Sequence, residues 1–530
     1  MTPTRTLARA AAALAAAAFL ALAALGGAGA SPAHAVDYLP ITGTGSTWSQ
    51  NALDQWRKNV AANYGMTVNY SGVGSSAGRQ DFINGTVDFA VSEIPFQSAP
   101  DDGSSPENPT RGYAYMPIVA GGTAFMYNLQ INGKRVTNLR LSGEVITKIF
   151  TGVITNWNDG AIQADNPGLT MPDKTIVPVV RSDGSGSTAQ FTLWMSKQYG
   201  DLWSAFSGRS GLTSQYPATP AMKAQNGSLG VAGYVSQSYG EGAITYVEYS
   251  YAKNSGFPVA KVLNAAGYYV EPKATSVAVA LLQAQIDPSD LTQILDGVYN
   301  NGDPRTYPLS SYSYMIIPTA VGGVFTEQKG ATLGAFARYM LCEGQQQADT
   351  LGYSPLPMNL VLAGSDQISR IPGAGSSGVD PRNCNNPTFK PGDDPNSNQL
   401  ALTAPQPEEC DKQGPTQCTT GTGGAADVPT DPANPESDPA SNSDAAAQNS
   451  AAAGGGGGAG GAAPVYDENG ALVSGGGSGG AAAVSSPFTI PDPGMGTQQW
   501  LMLAAGLFLL AAVIVPPLAS RRLKRSGRDS

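Results

Sequence analysis

The sequence predicts an exported α/β protein of two lobes that is attached to the membrane by a C-terminal helix. Strand-like and helix-like stretches alternate across residues 36–363, which is typical of α/β architectures. An apolar N-terminal segment that ends in a small-residue cleavage site indicates export. Residues 500–519 are uncharged and long enough to cross a bilayer, since a spanning helix needs ~20 apolar residues.

The globular part is predicted to span residues 36–365. β-Branched and aromatic residues predict strands at residues 66–73, 86–92, 123–129, 175–182, 243–251 and 314–320. The spacing of Leu53, Trp56 and Val60 predicts a helix over residues 50–64. Similar spacing predicts helices at residues 141–150, 189–199 and 331–342. Because this block is larger than a single core usually becomes, two lobes are expected.

The N-terminal 35 residues are predicted to be a signal peptide. Arg5 and Arg9 precede an apolar run, and Ala33-His34-Ala35 supplies the cleavage site. An uncleaved N-terminal anchor is the alternative. Cleavage would remove His34, the only histidine of the chain. Histidine-dependent triads, imidazole acid–base chemistry and the usual zinc sites would then all be excluded.

The cysteines predict disulfides, because exported proteins retain them. Cys342, Cys384, Cys410 and Cys418 allow three pairings, and proximity favours Cys410–Cys418, which leaves Cys342–Cys384. The alternative, a four-thiolate metal site, lacks any C-x-x-C pair. No metal and no cofactor are therefore expected. A cysteine-containing extension is predicted over residues 366–418.

The C-terminal part is predicted to be a stalk, a membrane span and a cytoplasmic tail. Residues 419–498 are mostly Gly, Ala, Ser, Pro and Asp, a composition that cannot offset its ordering entropy. Residues 499–519 form the predicted transmembrane helix, with a buried core helix as the alternative. The basic tail, residues 520–530, places that end in the cytoplasm. The protein is therefore expected on the extracellular face of the plasma membrane.

Charge composition argues against a nucleic-acid partner. Only 13% of residues are charged and the formal net charge is −10, with no basic block outside the tail. Nucleic-acid affinity comes mainly from Lys and Arg that neutralise phosphates.

Three loops share one design, with small residues placed directly before a helix. They are 43–48 (GTGSTW), 72–78 (GVGSSAG) and 181–188 (RSDGSGST). The first amides of a helix lack partners and its dipole favours an anion, so hydroxyls and glycine amides there suit an oxyanion. Ordinary N-caps and turns are the alternative for any one loop. Three such loops, one of which contains Arg181, together indicate a small-oxyanion site.

Two enzyme-like motifs overlap the second loop. Residues 74–78 fit G-x-S-x-G, but without histidine Ser76 has no standard base. Gly72, Gly74 and Ala77 fit a loose dinucleotide fingerprint. Glu93 follows at nearly the distance along the chain at which such folds have an acidic residue that binds the ribose. This second interpretation leaves the other two loops unexplained.

The chain resembles the phosphate-binding proteins of bacterial phosphate ABC transporters, a branch of the type II periplasmic-binding-protein superfamily. The resemblance covers residues 38–362 and rests on GTGSTWSQNALDQW, VNYSGVGSSAGRQDF, VVRSDGSGSTAQFT and YSPLPMNL. It implies a two-lobed periplasmic-binding-protein fold with a ligand cleft between the lobes. The stalk and the membrane span are not part of the usual family pattern.

The resemblance also implies a ligand set for phosphate. By position it comprises Thr47, the Trp48 backbone, Ser75, Glu93, Arg181, Ser185, Gly186 and Ser187, with Asp183 orienting Arg181. Family members have an aspartate where this chain has Glu93, and that carboxylate accepts a hydrogen bond from protonated phosphate. Sulfate has no such proton and would face a buried like charge. The alternative for Glu93 is a solvated loop residue.

These observations predict a surface-anchored binding protein for inorganic phosphate, without enzymatic activity, that delivers its ligand to an ABC transporter permease. The alternatives are an envelope or interaction protein that is not coupled to transport, and a binder of another oxyanion. A histidine-free phosphatase would need a metal cluster or an activated Ser/Lys pair, and the sequence offers neither.

Overall fold

A mixed eight-stranded sheet runs through the chain. The computed structural model describes residues 38–430 together with Val465–Tyr466 and Leu472–Ser474. Its strands are β1 Ile41–Gly45, β2 Val68–Gly72, β3 Phe89–Ser92, β4 Tyr113–Tyr127, β5 Gln130–Ile131, β6 Lys134–Arg135, β7 Arg140–Leu141, β8 Val177–Arg181, β9 Lys223–Gln225, β10 Ala243–Glu248, β11 Lys261–Leu263, β12 Tyr269–Val270, β13 Gln285–Ile286, β14 Gln293–Ile294, β15 Ser310–Pro318, β16 Val465–Tyr466 and β17 Leu472–Ser474. The large sheet has the order β2-β1-β3-β15-β4-β10-β8-β9.

Helices pack against this sheet. They are α1 Gln50–Tyr64, α2 Ser75–Ile83, α3 Gly143–Phe150, α4 Gly160–Asp165, α5 Gly186–Gln198, α6 Gly200–Ser207, α7 Gly227–Ser236, α8 Tyr249–Ser255, α9 Ala274–Ala280, α10 Asp296–Tyr299, α11 Glu327–Leu341, α12 Ala348–Leu351, α13 Met358–Ile368 and α14 Gln399–Leu402. The alternation of strands and helices confirms the predicted α/β class.

Strand β4 divides the sheet into two lobes. Its residues 113–122 pair antiparallel with β15, whereas residues 123–127 pair antiparallel with β10. We call β1, β2, β3, β15 and residues 113–122 the first lobe, and β8, β9, β10 and residues 123–127 the second. Almost all of β4 is buried, because it lies between β15 and β10 in the middle of the sheet and helices α8, α9 and α13 pack on it.

Each lobe has an apolar interior that the helices complete. In the second lobe the rings of Phe150, Phe191 and Tyr246 lie with their centroids 4.8–5.6 Å apart. In the first lobe Trp56 is fully buried and its indole N–H donates to the carbonyl of Gly344, 2.8 Å away. The tryptophan thus joins α1 to the chain that follows α11.

Each predicted strand overlaps a sheet strand, but the bounds differ. Strand β4 begins at Tyr113 instead of residue 123, and β15 begins at Ser310 instead of residue 314. Gly43–Gly45 was predicted as loop but belongs to β1, since its backbone pairs in parallel with both β2 and β3. The strand predicted to reach residue 251 ends at Glu248. There the Glu248 carboxylate accepts from the Ser250 amide, 2.8 Å away, and begins helix α8.

Both predicted disulfides are present, Cys342–Cys384 and Cys410–Cys418. The first joins the end of α11 to the extension. The second closes a loop on the second lobe, where the Asp411 carboxylate accepts from Lys261 at 2.7 Å. The extension therefore contacts both lobes.

The predicted stalk begins later than residue 419. Residues 419–430 pack on the second lobe, where Thr422 is fully buried and its hydroxyl donates to the carbonyl of Val259. The Thr430 hydroxyl accepts from the amide of Thr137 at 2.7 Å. Buried hydroxyl contacts of this kind compensate the low apolar content that led to the stalk prediction.

The remaining terminal predictions lie outside the described residues. These are the signal peptide at 1–35, the stalk beyond residue 430 except for the paired strands β16 and β17, the span at 499–519 and the tail at 520–530. Within the part of the chain that is described, no helix has the length and apolar character that crossing a bilayer requires.

Candidate functional site

The first loop, at the end of β1, carries two hydroxyls that point in different directions. Ser46 accepts from the Trp48 amide at 2.9 Å and donates to Glu93 Oε1 at 2.5 Å. Thr47 Oγ1 lies 2.8 Å from Ser228 Oγ and accepts from the Ser228 amide at 3.2 Å. Because Ser228 begins α7 of the second lobe, the Thr47 contact crosses the cleft.

Glu93 follows β3 and lies at the centre of a cluster of serines. Its Oε2 accepts from Ser75 at 2.8 Å, and its Oε1 accepts from Ser46 and from Ser313 at 3.0 Å. The residue is 1% exposed. The alternative of a solvated loop residue is therefore wrong, because neighbouring strands bury the carboxylate and hydroxyls satisfy it.

Arg181 ends β8 and is held by Asp183. The guanidinium Nε donates to Asp183 Oδ1 at 2.7 Å and Nη2 donates to Oδ2, while Nη1 lies 3.4 Å from Ser228 Oγ. Burial of Asp183 opposes its ionisation. The hydrogen bonds and the charge of Arg181 outweigh this effect, so the pKa of Asp183 is lowered. The aspartate orients Arg181, as the resemblance implied.

The N-terminus of α5 meets the Glu93 cluster. The Gly186 amide donates to Ser75 Oγ at 3.2 Å, and a Cβ added to Gly186 would lie 2.0 Å from Glu93 Oε2. Only glycine permits this approach. Ser185 Oγ caps the helix by accepting from the Thr188 amide. The Ser187 hydroxyl is buried without a hydrogen-bond partner among residues 38–430, so its donor is free for a ligand.

The two lobes are closed on each other at these loops. Besides the Thr47–Ser228 and Ser75–Gly186 contacts, the Ser76 amide donates to the Gly184 carbonyl at 3.1 Å. The predicted site residues thus gather in one buried region between the lobes. The Trp48 side chain points away from it, since its indole N–H reaches the Thr123 hydroxyl at 3.3 Å, where β4 passes between the lobes.

Three residues of the site were missing from the prediction. Ser46 lies inside the first loop, and Ser228 follows Gly227 at the start of α7, which is the same small-residue design as the three loops. Both could have been found from that signal. Ser313 lies within strand β15, and only strand pairing brings it to Glu93.

The arrangement suits a protonated oxyanion. Arg181 supplies a positive charge, Ser187 and Thr47 supply neutral hydroxyl donors, and the dipole of α5 favours an anion at its N-terminus. Glu93 supplies an acceptor: a carboxylate has about four acceptor positions, and the serine hydroxyls of the described residues occupy three. The site therefore offers donors around one acceptor.

A second buried carboxyl, Glu248, lies behind the site. Its Oε2 accepts from the Ser250 amide, whereas its Oε1 has no hydrogen-bond partner among residues 38–430 and lies beside Gly121 of β4. Burial raises the pKa of Glu248 well above its ordinary value of 4.5, despite the hydrogen bonds from Ser250. Folding therefore favours the protonated form of this carboxyl.

We expect Glu248→Gln to make the protein more stable than wild type at pH 8 but not at pH 4. In wild type the unfolded chain releases the Glu248 proton above about 4.5 while the folded chain retains it, so stability falls as pH rises toward the folded pKa. Between the unfolded and the folded pKa of Glu248, the free energy of unfolding decreases by up to about 1.4 kcal/mol per pH unit. Glutamine mimics the protonated carboxyl but does not titrate, so the pH-dependent contribution of Glu248 to stability is removed.

Urea unfolding at several pH values measures the effect. The half-exposed Glu241 on the loop before β10 supplies the matched control, Glu241→Gln, whose stability profile should run parallel to wild type. A Glu248→Gln profile that also runs parallel to wild type would contradict the assignment.

Comparison with known proteins places this geometry in a family. Residues 28–343 match the family model of the PBP superfamily domain. The phosphate-binding protein PstS of Xylella fastidiosa (strain Temecula1) is 34% identical over 324 residues, 61% of this chain and 83% of that protein. PstS3 of Mycobacterium bovis (strain BCG / Pasteur 1173P2) is 30% identical over 325 residues, 60% of this chain and 82% of that protein.

Among solved structures, the phosphate-binding protein from Stenotrophomonas maltophilia is similar with a TM-score of 0.45 and 17% identity. The comparison covers 60% of this chain and 91% of that one. The family match at residues 28–343 contains all three small-residue loops and Glu93. This chain belongs to the PstS family of phosphate-binding proteins, within the PBP superfamily.

Proposed function

We propose that this protein captures inorganic phosphate in the cleft between its lobes and delivers it to an ABC transporter permease. The observation that carries the proposal is the buried Glu93 carboxylate, set among donors that include Arg181 and the N-terminus of α5. An acceptor inside a ring of donors selects an oxyanion that still carries a proton. The relatives named above, each a phosphate-binding protein, support the same ligand.

The proposed ligand set is part of the one that the resemblance implied, extended by one hydroxyl. Arg181, Ser187 and the Thr47 hydroxyl donate to phosphate, and Ser228 joins them from α7. The Trp48 amide, the Ser75 hydroxyl and the Gly186 amide are left out because they donate to Ser46, Glu93 and Ser75, and Ser185 is left out because it caps α5. Glu93 accepts a hydrogen bond from the protonated oxygen of the ligand. The protein binds and releases phosphate without changing it, as expected for a solute-binding protein.

The proposal places the protein outside the plasma membrane. Its support is the sequence, which predicts a signal peptide at residues 1–35, a stalk that continues to residue 498, a membrane span at 499–519 and a basic tail at 520–530. A tether at the C-terminus would keep the binding domain near a permease without fixing its orientation.

Isothermal titration calorimetry on the purified protein tests the ligand. Phosphate is expected to bind with submicromolar to micromolar affinity, and sulfate is expected not to compete. Competition by arsenate, which also carries a proton at neutral pH, is expected as well. Absence of heat and of a thermal shift with phosphate would refute the proposal. Stronger binding of sulfate or molybdate would assign the cleft to another oxyanion.

Copurification from membranes tests the transport role. A permease recovered with the full chain supports delivery to a transporter. Consistent failure to recover one under phosphate starvation would favour a binding protein that is not coupled to transport.

A further inference from the structure

A second set of contacts joins the lobes at the rim of the cleft, through residues outside the three phosphate loops. The loop between β3 and β4 supplies Asp101 and Asp102, and the segment after α6 supplies Arg209, Leu212 and Thr213. Thr213 Oγ1 donates to Asp102 Oδ2 at 2.7 Å, and the Leu212 amide lies 3.3 Å from Asp101 Oδ2. Arg209 donates to the Asp102 carbonyl.

On the second lobe, the backbone at Gly211 allows Asp101 to come close. Gly211 has φ +85°, and a Cβ there would lie 2.2 Å from Asp101 Oδ2. Any other residue would therefore displace Asp101. Thr213 is 5% exposed although it lies at the rim. Burial of Asp102 opposes its ionisation, but hydrogen bonds from Ser104 and Thr213 and the charge of Arg209 outweigh this and lower its pKa.

On the second lobe, hydrogen bonds connect these rim contacts to the phosphate loop. The Thr213 amide donates to Thr192 Oγ1 at 3.0 Å, and Thr192 lies within α5. The Ser185 amide donates to the Ser214 carbonyl at 2.9 Å. The segment that holds Asp102 is therefore the segment that positions the start of α5.

On the first lobe, Arg79 makes the corresponding connection. Its guanidinium donates to both oxygens of Glu107, at 2.7 and 3.1 Å, and reaches Ser76 Oγ at 3.3 Å. Glu107 in turn accepts from the amide of Gln97, which begins the loop that carries Asp101 and Asp102. The second phosphate loop and the rim are thus joined on this side too.

We propose that Asp102 and Thr213 form a latch that holds the lobes closed and sets how long phosphate stays bound. The identity of the ligand rests on the proposed function. The latch itself acts on the opening and closing of the lobes. Release requires the lobes to open, so each contact that exists only in the closed state slows dissociation. Asp102 and Thr213 are positioning residues, since neither belongs to the phosphate loops.

The test compares Thr213→Val with Thr213→Ser in the full-length protein. Stopped-flow phosphate kinetics should show about tenfold faster dissociation for Thr213→Val, because one lost buried hydrogen bond is worth about a factor of ten. Thr213→Ser keeps the hydroxyl and should restore wild-type kinetics. Ser105→Ala, an exposed position in the Asp101–Asp102 loop, should also match wild type.

Thr213 also bonds locally to Gln215, so a double-mutant cycle with Asp102→Ala isolates the contact across the rim. The effects of Thr213→Val and Asp102→Ala should not add. Additive effects, or dissociation rates within twofold of wild type, would overturn the latch.

Amide hydrogen exchange without phosphate separates this proposal from the proposed function. The Ser76 amide, which donates across the cleft to Gly184, should exchange about tenfold faster in Thr213→Val than in wild type. An unchanged rate would overturn the latch whatever the ligand. A faster rate in a protein that binds no phosphate would support the latch and refute the proposed function alone.

Discussion

Replacing Arg181 by alanine is expected to weaken phosphate binding roughly 30-fold or more, because truncating one partner of a buried charge pair costs about 2–5 kcal/mol. Arg181 is 3% exposed and carries the positive charge of the site. Its removal also leaves the Asp183 carboxylate buried without its counter-ion, so the anion would meet two uncompensated negative charges, Asp183 and Glu93. Calorimetry with phosphate measures the loss.

A matched control separates local charge from net charge. Arg382 lies on the extension with an 80% exposed side chain, so Arg382→Ala removes the same charge far from the cleft. Phosphate affinity should be unchanged in this variant. An Arg181→Ala protein that binds phosphate as wild type does would show that the anion does not bind against Arg181.

Replacing Glu93 by glutamine is expected to lower the preference for phosphate over sulfate by about 100-fold or more, since sites built to hydrogen-bond a ligand proton discriminate strongly. One carboxylate oxygen becomes an NH₂ donor. The site then retains only one acceptor oxygen for the proton of phosphate and loses the negative charge that repels sulfate. Phosphate should bind more weakly and sulfate should begin to compete.

Glu93→Asp is the matched control, because it retains the carboxylate and shortens the side chain by one methylene. It should keep the preference for phosphate, although its distances to Ser75 and to the α5 amides change. Calorimetric competition between the two anions compares the variants. Unaltered selectivity in Glu93→Gln would contradict the assignment of Glu93 as the acceptor of the ligand proton.

The hydrogen-bond partners of Glu93 show how far the prediction of the site could go. The loops 43–48, 72–78 and 181–188 are local patterns. A helix begins inside each loop or directly after it, at Gln50, Ser75 and Gly186. Their meeting could be inferred from shared chemistry. Ser313 could not, because its role depends on β15 pairing with β3, from which Glu93 follows.

The stalk boundary shows a different limit. Composition predicted that residues after 418 do not fold, and this prediction failed for residues 419–430. Thr422 and Thr430 are ordered by partners on the second lobe, Val259 and Thr137, which are far away in the chain. Composition describes what a segment can bury by itself and carries no information about a surface that another segment offers.

By itself, the sequence determined the α/β class, the three small-residue loops and the choice of disulfide partners, because these depend on periodicity, on helix N-termini and on proximity along the chain. The tertiary structure alone decided which hydroxyls surround Glu93, how the extension joins both lobes and that Asp102 meets Thr213 at the rim. These contacts join segments that are remote in sequence, so they exist only once the sheet order and the closure of the lobes are established.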